Sequence, residues 1–450
     1  MILPEAFVKR MKARLGPKDY MLFEEALSLP APVSLRINTS KFGVELPFEK
    51  VPWCGHAFYL PIRPVFGSDP LWHAGGYYVQ EAGSMMLEKV FLKARSLSAG
   101  PLAVLDLCAA PGGKSTHLAS LMDGQDLLVS NEVIRSRVPV LYENIVKHGR
   151  PNVIVTSADS REFMTSGEAF DIILVDAPCS GEGLFRKDPA AIAEWNEENV
   201  NTCELRQNRI LGNIAGCLKP GGFLIYCTCT YNPGENSEQV DQLIRKGFEP
   251  VAFDMNGHSG HEFQCYPHEI KGEGFYIALL RKNYSEDTGP ARPKQGKLQP
   301  IRRTGAFESF IKTKSGFYEF EGLALAVPEH VFEFYNTFLT NIYCYAIGTK
   351  VCSISDKVLA PSEFLPFSVI FNRDVFPDHA LTHEQALSYL SNQALPNSIP
   401  GKGHVTLSFG NVPLGLGKLA GNRINNLYPN AWRLRKQIDK AQWFTLMADA

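Results

Sequence analysis

At 450 residues the chain is longer than the roughly 100 to 200 residues of one domain, so two or three domains on one polypeptide are expected. Apolar residues make up 45% and charged residues 20%, and no stretch approaches the roughly 18 consecutive apolar residues of a membrane span, which argues for a soluble protein with no membrane partner. A net charge of −2 gives no bulk attraction for nucleic acid, so any basic surface for such a partner must be local.

The opening Met1-Ile2-Leu3-Pro4-Glu5 lacks the basic and apolar blocks of a secretory signal, and a cytoplasmic protein is expected. Ten cysteines are spread along the chain with no paired Cys/His spacing that would signal a metal site. They read as free thiols. Nothing in the sequence points to an oligomer, and a monomer is the expectation.

In chain order, Phe7, Met11, Leu15, Leu22, Ala26 and Leu29 follow a helical spacing and precede a strand-like run from Val33 to Asn38, so residues 1–75 read as a small α+β lead-in. Between Val51 and Tyr78, Pro61, Pro64, Gly67, Pro70, Gly75 and Gly76 suggest turns that connect rather than form a core. From Leu102 the pattern becomes that of βαβ units and a mostly parallel sheet. Strands are predicted at Ala103–Leu107, Leu127–Ser130, Val153–Thr156, Asp171–Val175 and Phe223–Cys227, with helices starting near Ser115, Arg135, Thr202 and Glu235. The run Gly274–Leu280 is expected to close the sheet. The domain so defined covers 76–283, followed by a solvated linker at 284–300 and a C-terminal region at 301–450 that ends in a basic stretch containing Lys402, His404, Lys418, Arg423, Arg433, Arg435 and Lys436.

The first of these strands runs into Cys108-Ala109-Ala110-Pro111-Gly112-Gly113-Lys114-Ser115. Small residues between a strand and a helix let the backbone approach a ligand and aim helix N-terminal amides at it. A phosphate-binding P-loop would need glycine at position 108, which is cysteine, and the Gly-x-Gly-x-x-Gly dinucleotide fingerprint is absent. Glu132, at the end of the second strand, is placed to accept from ribose hydroxyls, and Asp159, after the third, from an adenine amino group. The fourth and fifth strands lead into Asp176-Ala177-Pro178-Cys179-Ser180-Gly181-Glu182-Gly183 and Thr228-Cys229-Thr230, which puts two cysteines beside a nucleoside pocket and makes a thiol nucleophile the natural reading. Cys227 is expected to turn away from the site and pack in the core.

These three motifs, with Asn232-Pro233 and Glu235-Asn236 after the last, resemble the Sun-type (RsmB/RsmF) RNA cytosine-carbon-5 methyltransferases. Tyr78-Val79-Gln80-Glu81 is similar to that family's entry into the catalytic domain, and Tyr266-Pro267-His268 with Gly274-Phe275-Tyr276 to its closing strands. Gly415-Leu416-Gly417-Lys418, Gly421-Asn422-Arg423 and Tyr428-Pro429-Asn430-Ala431-Trp432-Arg433 are similar to the PUA-like region of the RsmF branch, which methylates small-subunit ribosomal RNA. The resemblance implies an α/β fold, with a Rossmann-like S-adenosylmethionine-dependent methyltransferase sheet between a small N-terminal α+β domain and a C-terminal α+β, PUA-like RNA-binding region. It implies Cys229 as nucleophile and Cys179 as the thiol assisting product release. The S-adenosyl-L-methionine site would comprise Cys108, Ala109, Ala110, Pro111, Gly112, Gly113, Lys114, Glu132, Asp159 and Asp176, and Asp176 could also hydrogen-bond the cytosine. The expected partner is RNA, foremost 16S ribosomal RNA, free or in the assembled subunit, with Tyr428 and Trp432 available to stack on bases. Two other readings stay open: a transfer RNA cytosine methyltransferase, and a non-catalytic RNA-binding assembly factor.

Overall fold

The computed structural model describes residues 2–283, 296, 298–302, 305, 307–354 and 360–447. Most of the linker expected at 284–300 lies outside these.

The N-terminal helix α1 (Glu5–Ser28) is two segments joined at Gly16 and Pro17. Gly16 has φ 75°, a left-handed conformation open to glycine, and Pro17 restarts the helix with its φ already fixed. The break resets the helical phase. Phe7 and Met11 are buried before it, but Tyr20, Phe23, Ala26 and Leu27 after it, while Leu22 and Leu29, counted in one unbroken spacing, are 45% and 54% exposed.

The region 51–78 is not a connector. It supplies β2 (Ala57–Leu60), helix α2 (Pro70–His73) and β3 (Tyr77–Val79), and both strands flank β1 (Val33–Ile37) in an antiparallel sheet. Val51, Phe58, Leu71 and Ala74 are buried. The prolines and glycines mark turns between very short elements, whose apolar residues are too few to show a period of their own. Leu35, Ile37, Phe58 and Leu71 share one core with Tyr389, Leu390, Val405, Leu407 and Ile424 of the C-terminal region. Asp69 ties the two ends of the chain: it caps α2 through Leu71 N–H and accepts from Tyr77 Oη at 3.0 Å and Leu446 N–H at 3.1 Å.

After α3 (Leu87–Ser96) come β4 (Ala103–Asp106), α4 (Gly113–Leu121), β5 (Leu127–Asn131), α5 (Val138–His148), β6 (Val153–Thr156), β7 (Phe170–Asp176) and β8 (Leu218–Thr228). In space the parallel strands run β6-β5-β4-β7-β8, so the strand order reverses at β4. Their apolar β-branched residues are buried on both faces, as a parallel sheet covered by helices requires. Phe275–Lys282 pairs antiparallel with β8 but is not the edge, because Glu262–Cys265 lies outside it. At the other side Cys344–Ile347, beyond the expected linker, pairs antiparallel with β6. The sheet therefore draws on the C-terminal region. The remaining C-terminal strands form two further sheets, one centred on Leu323–Val327 and one on Gly403–Phe409 and Val412–Ala420.

Candidate active site

The reversal at β4 opens a crevice at the carboxyl ends of β4 and β7, where open α/β sheets take ligands. The loop 107–113 lines it and is held from three sides. Asn131 Nδ2 donates to the carbonyls of Leu107 and Ala158, both at 3.0 Å, Arg137 donates to Ala110 O at 2.7 Å, and Asn144 to Pro111 O at 2.8 Å. The Ala110-Pro111 peptide is cis. Gly112 adopts φ 116°, and a Cβ there would stand 3.2 Å from Asn144 Cβ; a Cβ on Gly113 would meet the Tyr78 ring at 3.2 Å. α4 starts at Gly113, two residues earlier than the periodicity predicts, and no side chain of its N-cap residue, Gly112, bonds its first amides.

The carboxylates concentrate here. Asp106 is buried, accepts from Ser115 Oγ at 2.6 Å, and leaves its other oxygen without a partner. Burial pushes its pKa up to about 7, helped by the neighbouring Asp176 and Glu132. The Cys108 thiol, between the same three acids, is raised by burial first and by their charges second. Asp176 bonds Lys114 Nζ at 2.7 Å, and although burial opposes the Lys114 charge, that carboxylate raises the lysine pKa. An acidic set with one lysine complements a ligand carrying a sulfonium, an ammonium and a carboxylate, so the residues present fit S-adenosylmethionine. Glu132 is buried and accepts from Ile134 N–H at 2.8 Å, with Arg137 3.3 Å away. Asp159 accepts from Arg161 N–H at 3.0 Å and faces Arg209 at 3.5 Å, and neither it nor Glu132 lines the cleft that holds Lys114, Asp176 and Cys229.

Cys179 and Cys229, on the loops after β7 and β8, meet with their sulfurs 3.1 Å apart. The contact with Cys229, and then burial, raise the Cys179 pKa, and either sulfur can be the donor in the bond between them. Cys227 is buried as expected, but it does not turn away. Residues two apart in a strand share a face, and the Cys227 thiol lies 3.5 Å from Asp176 Oδ1.

Two glutamates that the sequence shows only as motif letters brace this pair. Glu235 accepts from Ser180 N–H at 2.8 Å, from Ser180 Oγ, and from Gln207 Nε2 at 3.1 Å, so the end of the β8 loop holds the β7 loop. Glu182, fully buried, accepts from Arg10 of α1 at 2.5 Å, Trp195 Nε1 at 2.9 Å and Tyr231 N–H at 3.2 Å. Gly183 N–H donates to Cys229 O at 2.8 Å. Around Glu182, Phe7, Phe23, Phe185, Trp195, Tyr231 and Tyr266 form an aromatic core, with Phe7 edge-on to Phe185 at 5.0 Å. Each fully buried ring contributes on the order of 2 kcal/mol, so α1 is fastened onto both cysteine loops. Nothing in the sequence signals contacts across such separations.

In the C-terminal region Lys402, Lys418, Arg423, Arg433, Arg435 and Lys436 are exposed, but the aromatics between them are not poised for bases. Tyr428 is 3% exposed and packs edge-on against Tyr389, and Trp432 packs against Phe364 and Phe367 at 5.1 and 5.5 Å. They anchor the region.

A Rossmann-like methyltransferase is the class that this sheet order and crevice define. Residues 99–281 match the family model for 16S rRNA methyltransferase RsmB/F, 3–82 that for the N-terminal domain of 16S rRNA methyltransferase RsmF, and 376–434 that for the methyltransferase RsmF PUA domain. The chain is 31% identical over 475 aligned positions to ribosomal RNA small subunit methyltransferase F of Aliivibrio fischeri strain MJ11, covering 95% of this chain and 97% of that one. It is 36% identical over 314 positions to the protein of the same name from Serratia proteamaculans strain 568, covering 63% and 64%. The structure of NSun6 from Pyrococcus horikoshii with SFG shares the fold, with a TM-score of 0.53 at 19% identity over 63% of this chain and 99% of that one. The chain belongs to the RsmB/F family of 16S rRNA methyltransferases.

Proposed function

We propose that this protein transfers the methyl group of S-adenosyl-L-methionine to carbon 5 of a cytosine in 16S ribosomal RNA, in the cytoplasm and as a monomer. The observation that carries the reading is the pair of thiols 3.1 Å apart, one of which, Cys229, lines the same cleft as Lys114, Asp176 and the glycine loop.

Carbon 5 of cytosine is a weak nucleophile because its electrons belong to the aromatic ring. When Cys229 adds as thiolate to carbon 6, the ring becomes enamine-like and carbon 5 can take a methyl group. The donor supplies that methyl group, and the chain orients it: Ala109, Ala110, Pro111, Gly113, Lys114 and Asp176 line the cleft, with Cys108, Gly112 and Glu132 adjoining it, while Asp159 lies off it. The carbon 5 proton then leaves to a base, the ring double bond re-forms and the sulfur–carbon bond breaks, with Cys179 placed to assist this release. Asp176, fixed by Lys114, presents a carboxylate to the cytosine amino group as electrons move toward ring nitrogen 3. The exposed lysines and arginines of the C-terminal region supply phosphate contacts.

The test is transfer of label from S-adenosylmethionine to 16S ribosomal RNA, free and in the assembled small subunit, followed by mapping of the modified nucleotide. Label at carbon 5 of a cytosine supports the reading. Label only on transfer RNA would replace the substrate, and no label with intact cofactor binding would favour an assembly factor.

A further inference from the structure

Outside the cleft that holds Cys229, three side chains from three elements converge: Cys54 of the loop before β2, Glu88 of α3 and His117 of α4. Cys54 is 4% and His117 0% exposed, and the Glu88 side chain is 15% exposed. Glu88 Oε2 lies 3.1 Å from Cys54 Sγ and 3.0 Å from His117 Nε2, and the third side of the triangle, Sγ to Nε2, is 3.6 Å. The other carboxylate oxygen is already used by Gly55 N–H at 2.9 Å.

Hydrogen bonds alone serve this triangle poorly. The thiol and the imidazole converge on one carboxylate oxygen, and a single imidazole proton on Nε2 cannot serve both that oxygen and the sulfur 3.6 Å away. A cation replacing both protons gives each of the three atoms an attractive partner. The point equidistant from the three atoms is about 1.9 Å from each, and a small shift out of their plane gives the roughly 2.0 to 2.3 Å of zinc bonds to nitrogen, oxygen and sulfur. Those three atoms then form one face of a tetrahedron, with the fourth position left for water on the partly exposed Glu88 side. Gly55 N–H, on the free carboxylate oxygen, fixes the ligand's orientation as outer partners of metal ligands do.

We infer that Cys54, Glu88 and His117 form a structural site for a borderline-soft divalent cation of the zinc class, joining the loop before β2 to α3 and to α4, the helix that follows the cofactor loop. Thiolate, imidazole and carboxylate together select zinc or cobalt over magnesium or calcium, which take oxygen ligands. Arg36 lies close by, its guanidinium committed to Gln80, Thr116 and Ser120, and its positive charge makes both anionic ligands necessary for a doubly charged ion. The separations of 34 and 29 residues, across three elements, resemble no ligand spacing in sequence.

The full chain, stripped with chelator, is titrated with Co²⁺ and followed by its visible and near-ultraviolet spectrum. The expected result is saturation at one cobalt per chain, with tetrahedral bands and a thiolate charge-transfer band. That band disappears in Cys54→Ser and persists in Cys179→Ser and Cys229→Ser. Zn²⁺ should displace the cobalt and raise the melting temperature of the native chain but not that of Glu88→Gln. No charge-transfer band in the native chain, or a band that survives Cys54→Ser but vanishes without Cys179 or Cys229, overturns the inference. The readouts do not depend on methyl transfer, so this inference and the proposed function stand or fall separately.

Discussion

Cys179 and Cys229 are separated by fifty residues of chain, yet their sulfurs lie 3.1 Å apart because β7 and β8 are neighbours and Glu235 binds one loop to the other. In the proposed reaction the two thiols are unequal. Cys229→Ala should abolish methyl transfer, whereas Cys179→Ala should still form the bond to carbon 6 and accumulate a covalent protein–RNA adduct, visible as a slow band on a denaturing gel. Native-rate methylation by Cys229→Ala would move the nucleophile to Cys179.

Glu182 is buried with three donors aimed at it, one of them the charged Arg10. Removing Glu182 leaves the buried Trp195 Nε1–H and Tyr231 N–H without an acceptor, a cost of about 1 to 3 kcal/mol each, while Arg10, 27% exposed, can turn to water. Glu182→Ala should therefore lose stability of that order in urea unfolding and loosen the contact between α1 and the Cys229 loop. A loss under about 0.5 kcal/mol, the size of an ordinary surface substitution, would refute the bracing role.

Glu273 is 4% exposed, both of its carboxylate oxygens lack a partner, and burial together with the Glu81 charge pushes its pKa up to about 7. It binds its proton more tightly folded than unfolded, so the stability this confers is full below its ordinary value of 4.5 and is gone once the pH has risen through 7. Asp106, raised from 3.8 to about 7, acts in the same direction over the same window. Thermal unfolding of Glu273→Gln should match the native chain at pH 4 and exceed it at pH 8, by as much as about 3 kcal/mol. An equal difference at both pH values would show that Glu273 does not titrate in that window.

Gly112 holds φ 116°, and a Cβ there would stand 3.2 Å from Asn144 Cβ and 3.4 Å from Leu141 Cδ1. Gly112→Ala forces a side chain into both a left-handed conformation and that contact, a cost of about 1 to 3 kcal/mol. Much of it should appear as weaker cofactor binding, roughly tenfold or more by calorimetry. Gly100→Ala, also at a positive φ but with no atom within 4 Å of the added carbon, is the control for conformation alone. Equal cofactor affinity in the two variants would count against loop geometry.

The central sheet was readable because each of its strands is a short apolar run followed by turn residues and an amphipathic helix, and the motif residues fall at strand ends, where topology gathers them. Cys108, Lys114, Asp176, Cys179 and Cys229 were legible for that reason. Glu182 and Glu235 were visible as letters without a task, since a bracing role appears only once Arg10, Trp195 and Ser180 arrive from distant segments. The helical phase of α1 failed at Gly16-Pro17, where one periodicity became two. Tyr428 and Trp432 show how basic neighbours mislead: the charges are exposed, but Tyr428 is buried and Trp432 is partly buried against the core. The segment 51–78, dense in proline and glycine, concealed the two strands that flank β1 because they are only four and three residues long.

The strand Cys344–Ile347 covers the side of β6 that would otherwise end the catalytic sheet. Cutting the chain at residue 300 would leave the outward-facing backbone amides and carbonyls of Val153–Thr156, those not paired with β5, without partners, a ready template for pairing with another molecule. The catalytic sheet is thus not a portable cassette. Evolution or engineering can exchange the basic surface of the C-terminal region by changing side chains, but that region cannot be deleted without replacing the strand that closes its neighbour.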